Sequence, residues 1–112
     1  MKDSAYYINE IAKDNVLLEL LQINGFTKTN LGYYYIGTAV LKMAEDMSYA
    51  VGSIGDLREL IASCYNTKAS RVERAIRHVT RNSKIWFDDK QKHVINCLAT
   101  EYIGNKNLEY KQ

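Results

Sequence analysis

The chain has no proline and only two cysteines, Cys64 and Cys97, among its 112 residues. The two cysteines have neither metal-pair spacing nor the number a disulfide framework needs, which points to a reducing cytoplasm. The longest apolar run is far short of a membrane span, and residues 1–7 carry no signal-peptide core. There is no glycine-rich phosphate loop, no internal repeat and no low-complexity segment. No strand–helix alternation and no nucleophile with a base and an orienting partner can be picked out. His93 and Cys97 stand four residues apart, as metal ligands on a helix do, but a structural zinc needs four ligands and no cluster supplies two more. These absences leave little room for catalysis, and neither enzyme activity nor a cofactor or metal is expected.

What is present suits one small helical domain over residues 1–112, with 46% hydrophobic and 25% charged residues. The net charge of +2 is modest, but it is unevenly spread. From Lys68 to Lys84 six Lys or Arg residues face one acid, Glu73. Read at about 100° per residue from Ser70, the stretch separates into two arcs. Val72, Ala75, Ile76 and Val79 fall on one; Ser70, Arg71, Glu73, Arg74, Arg77, His78 and Arg81 fall on the other. Cationic runs are often no more than solvated surface. A thin apolar stripe beneath an almost wholly cationic face also suits insertion against phosphates and base edges.

The preceding segment sharpens that choice. Residues 56–65 predict a second helix, with Leu57, Leu60, Ile61, Cys64 and Tyr65 along one side. Asn66 stands at the sharp turn, where positive φ is needed and Asn is the best substitute for Gly. Ser70 then reads as the N-cap of the basic helix, with Glu73 as its reciprocal capping-box partner. Ala62 supplies the small side chain that crossing helices need. Together these features predict a helix-turn-helix over residues 55–81 whose second helix enters the major groove.

Elsewhere, Asp14 is expected to cap a helix through Val16, Leu17, Leu20, Leu21 and Ile23, stopped by Asn24-Gly25. Residues 4–12 read either as a separate short helix or as an extension of it. Residues 26–31 read as a polar connection. One long helix is expected next, with Tyr33, Ile36, Val40, Leu41, Ala44, Met47 and Val51 on a single face and Gly37 permitting close approach there. The last helix is expected over residues 89–103, carrying Val94, Ile95, Leu98 and Tyr102, with Asp88-Asp89 at its start and Gly104 as its stop. The fold class is therefore all-α, five to six helices containing a helix-turn-helix. The nine tyrosines tempt a base-stacking reading, but helical spacing puts Tyr33 in the core, and stacking platforms usually sit on strands.

The run Ala69-Ser70-Arg71-Val72-Glu73-Arg74-Ala75-Ile76-Arg77-His78 resembles the recognition-helix signature of the effector domain of stage 0 sporulation protein A, the response regulator that starts endospore formation in Gram-positive bacteria. The similarity continues upstream through Ile61-Ala62, Gly52-Ser53-Ile54 and Gly32-Tyr33-Tyr34-Tyr35, and more weakly over residues 14–31 and the last helix. The resemblance implies a stand-alone effector domain without the family's receiver domain, and a regulator of transcription that binds double-stranded DNA at a TGTCGAA-like box. It implies that Arg71, Glu73 and Arg74 read base edges, while Ser70, Arg77 and His78 hold phosphates; Lys68 and Arg81 join the phosphate set by their charge. It also implies pairing in tandem on DNA, for which Trp86, Phe87 and Tyr102 are the candidate contacts. The family's longer connection before the final helix, part of it implicated in contacting RNA polymerase, is shortened here to residues 82–89. The resemblance therefore supports DNA binding and leaves polymerase contact and transcriptional activation open. The alternatives are a protein–protein adaptor working through Trp86-Phe87 and the last helix, and a competitor that occupies the same boxes.

Overall fold

Asp3 opens the first helix by accepting from the Tyr6 amide at 3.2 Å in the computed structural model, which describes residues 3–28, 30–83 and 91–111. This helix, α1 (Ser4–Lys13), is separate from the next one, which settles the choice the sequence left open at residues 4–12. Asp14 caps α2 (Asn15–Ile23), its carboxylate accepting from the Leu17 amide at 3.1 Å, as its spacing predicts. The C-terminal stop is also as expected. Gly25 takes φ 86°, the Phe26 amide donates to the Leu21 carbonyl and the Gly25 amide to that of Gln22. That pairing is a Schellman motif, and its usual apolar contact turns Phe26 inward. Phe26 is consequently buried, whereas the sequence reading placed it in a polar connection.

Asn30 caps α3 (Leu31–Glu45) through the Tyr33 amide. This helix lies at the centre of the molecule, packed against α1, α5 (Ile54–Cys64), α6 (Ala69–Arg81) and α7 (Gln91–Lys111). Tyr33, Tyr35, Ile36, Ala39, Val40 and Met43 are buried, so it is covered on more than one face. The single helix expected through Val51 is broken. Asp46 leaves the helical region, its carboxylate accepts from the Ser48 amide at 3.0 Å, and a short α4 (Ser48–Val51) follows. An Asp that bonds its own neighbouring backbone competes with helix continuation. Met47 and Val51 therefore leave the buried face, and Val51 is 86% exposed. This break, with α1 standing alone, brings the described helices to seven rather than five or six.

The last helix also departs from expectation, starting at Gln91 and running past Gly104 to Lys111. A side chain at Gly104 would meet nothing, so that glycine lies on an open face and merely weakens local propensity. Burial of Val94, Ile95, Leu98, Ala99 and Tyr102 carries the helix through. The described residues contain no strand, and none of their helices is long and apolar enough to cross a membrane.

Candidate nucleic-acid interface

Helix α5 starts at Ser53, whose hydroxyl accepts from the Gly55 amide at 3.0 Å. It ends in a second Schellman pairing, with the Thr67 amide bonded to the Ala62 carbonyl at 2.9 Å and the Asn66 amide to that of Ser63. Asn66 has φ 53° and is the one described residue other than glycine with positive φ. The turn thus takes the shape its sequence predicts. It delivers the chain directly into α6.

Helix α6 begins earlier than the capping-box reading requires. Lys68 occupies the N-cap position, and its backbone carbonyl accepts from the amides of Arg71 and Val72 at 3.0 and 3.1 Å. No side chain caps this end, so Ser70 lies inside the first turn and is not the cap. Glu73 turns elsewhere. Its Oε2 pairs with Arg77 at 3.0 Å, and its backbone carbonyl and Oε1 accept from the Gln91 amide at 2.9 and 3.5 Å. Gln91, only 5% exposed, accepts in turn from Arg58 Nε and Nη2 at 3.3 and 2.9 Å. One buried amide therefore ties α5, α6 and α7 together.

The two arcs of α6 are where the spacing puts them. Val72, Ile76 and Val79 are buried, Ala75 is half-buried, and Thr80 joins the inner side by donating to the Ile76 carbonyl. Thr80 is polar and adds nothing to an apolar period, and it can be buried because its hydroxyl is satisfied within its own helix. Lys68, Ser70, Arg71, Arg74, His78 and Arg81 are exposed, while Glu73 and Arg77 are half-buried. Among the described residues, Glu73 is the only acid with which any cation of this face forms an ion pair, and Arg77 takes it. Lys68, Arg71, Arg74 and Arg81 thus leave their positive charge facing solvent. The helix rises about 20 Å over its length, enough to lie along a major groove about 12 Å wide.

The remaining site residues gather differently. Tyr102 is buried, and its hydroxyl donates to the Asp14 carboxylate, so its surface is taken up within the protein. Trp86, Phe87, Asp88 and Asp89 lie outside the described residues. His93 Nε2 and Cys97 Sγ come within 3.7 Å, and the described residues bring no third ligand to them. Arg58 and Gln91 were missed by the sequence reading. A glutamine at a helix start has no periodicity or motif to distinguish it, and the pairing spans 33 residues to Arg58.

With this geometry in place, comparison with known proteins finds one family model, described as sporulation initiation factor Spo0A C terminal, matching residues 17–109. No solved structure matches the chain.

Proposed function

Because this chain belongs to the Spo0A C-terminal family of helical DNA-binding effector domains in sporulation initiation, we propose that it binds double-stranded DNA sequence-specifically, through α6 in the major groove. The observation that carries this reading is the outer face of α6. Four cations that form no ion pair among the described residues, Lys68, Arg71, Arg74 and Arg81, stand exposed over a buried apolar stripe. Arg71 and Arg74, three residues apart, lie on the same side of the helix. Each presents a guanidinium able to donate two hydrogen bonds to the O6 and N7 edge of guanine. Glu73 accepts from a cytosine amino group with the lone pairs that Arg77 and Gln91 leave over. Lys68, Ser70, Arg77, His78 and Arg81 hold the flanking phosphates, which position the helix without reading sequence.

The test is a fluorescence anisotropy titration against a TGTCGAA-like duplex and a scrambled duplex of the same composition. Tighter binding to the box by a factor of about 10³ or more is expected for specific recognition. Equal affinity for the two duplexes defeats sequence reading. Absence of binding to both defeats the proposal as a whole.

A further inference from the structure

We propose that Gln91 is a positioning residue for sequence recognition, acting through Glu73; this rests on the reading of α6 as the recognition helix. Gln91 lies outside the helix-turn-helix, at the first turn of α7. Its amide nitrogen nevertheless reaches the backbone carbonyl and the carboxylate of Glu73, in the middle of the DNA-facing stretch. A carbonyl inside a helix is already served by the helix ladder, so this donor is not needed to satisfy it. What the contact adds is location. It holds the first turns of α6 against α7 and keeps a donor beside Glu73 Oε1.

The other end of the same side chain fixes the frame. Arg58 of α5 donates to Gln91 Oε1 from two nitrogens, so the amide cannot rotate without breaking contacts to both helices of the motif. Glu73 is held at Oε2 by Arg77 at 3.0 Å, and Gln91 Nε2, anchored on the Glu73 carbonyl at 2.9 Å, makes a long contact of 3.5 Å to Oε1. An ionised carboxylate has about four lone-pair sites, so acceptor capacity remains for a base. A glutamate side chain free in solution samples many rotamers, and ordering it on binding weakens the complex. With its direction already set by Gln91, Glu73 meets DNA as an oriented acceptor.

The experiment is a binding cycle on the full chain, with wild type, Gln91→Leu, Glu73→Gln and the double variant titrated against the box and the scrambled duplex. Gln91→Leu keeps side-chain bulk and removes the amide. It is expected to weaken box binding about tenfold, to leave scrambled binding unchanged, and to leave the salt dependence unchanged because no cation is lost. The double variant is expected to bind no more weakly than Glu73→Gln alone, since the two residues act in series. Additive losses, or equal weakening on both duplexes, overturn the role and leave Gln91 as a structural residue. A wild-type protein with no preference for the box overturns the recognition reading itself, a result distinct from the other two. Hydrogen exchange of the Gln91 side-chain amide in the wild type provides a check that needs no variant to fold. Protection relative to exposed glutamine amides is expected, and exchange at the exposed rate overturns the proposal.

Discussion

Gly32 of α3 and Ala75 of α6 meet so closely that a Cβ added to the glycine would fall 2.5 Å from the Ala75 carbonyl oxygen and 2.6 Å from Val79 Cγ1. Helix α6 is thus seated backbone against backbone on the central helix. A methyl group there would push α6 outward, because the obstacle at Ala75 is main chain and cannot rotate aside. Gly32→Ala is expected to destabilise the fold by about 1–3 kcal/mol, the range of overpacked cores. At Gly37 the nearest atom is Ile11 Cδ1 at 2.8 Å, the far end of a flexible side chain. Gly37→Ala should therefore cost distinctly less. Urea denaturation of both variants checks the contrast, and equal losses would show that α3 and α6 cross with slack.

Asn66 holds a left-handed turn that glycine adopts without strain and alanine does not. Asn66→Gly is expected to change stability by less than about 0.5 kcal/mol, and Asn66→Ala to cost about 1 kcal/mol. Thermal melts of the two variants decide it. If alanine is as well tolerated as glycine, the turn relaxes out of positive φ.

Binding to DNA should weaken steeply with salt. If about five of the cations on α6 and its flanks meet phosphates, the logarithm of the association constant falls against log salt with a slope of about −4 to −5. Anisotropy titrations across a range of potassium chloride concentrations give the slope directly. A flat response would show that the exposed cations do not touch the backbone.

Substitutions at Arg74 and Arg81 are expected to separate base reading from phosphate holding. Arg74 is central on the exposed face, and Arg74→Ala should cost about 1–3 kcal/mol on the box and relax discrimination at one base pair. Arg81 lies about 10 Å further along the axis, at the helix end, so Arg81→Ala should weaken box and scrambled DNA alike and reduce the salt slope by about one. The outcome against this assignment is an Arg74 variant with an unchanged ratio of box to scrambled affinity.

Tyr65 makes alkaline pH informative. Burial pushes its hydroxyl up to about 12, against the opposing pull of the Thr38 hydrogen bond at 2.8 Å. The Tyr34 carbonyl lies beside this pair, accepting from the Thr38 hydroxyl at 2.7 Å and from the Tyr65 hydroxyl at 3.4 Å. The folded value lies above the unfolded one near 10, which means that the native state favours the protonated phenol. Its contribution to stability is complete below pH 10 and is lost as pH rises towards 12. Tyr65→Phe should be less stable than wild type by about 1 kcal/mol at neutral pH, with the gap closing and then reversing as pH rises from 10 towards 12. Denaturation at a series of pH values tests this, and a constant gap would place the ionisation outside the folding linkage.

The local signals in the chain determined the two faces of α6, the left-handed Asn66, the Asp14 cap and the Asn24-Gly25 stop. Each depends on residues within one or two turns of one another, so periodicity and single-residue backbone preference suffice. Competition between local signals and packing decided the rest. Asp46 breaks α3 by bonding the next turn, where the apolar spacing alone would have continued it to Val51. Gly104, a stop by propensity, is overridden because the buried side of α7 holds the helix together. Ser70 and Glu73 satisfy the capping-box spacing, yet the chain enters α6 at Lys68, and Glu73 finds Arg77 and Gln91 instead. The link from Gln91 to Arg58 joins three helices across a long stretch of sequence, and no local pattern encodes such a contact. The sequence by itself determined which face of α6 is cationic; only the tertiary structure decided how that face is seated on Gly32 and how Glu73 is held.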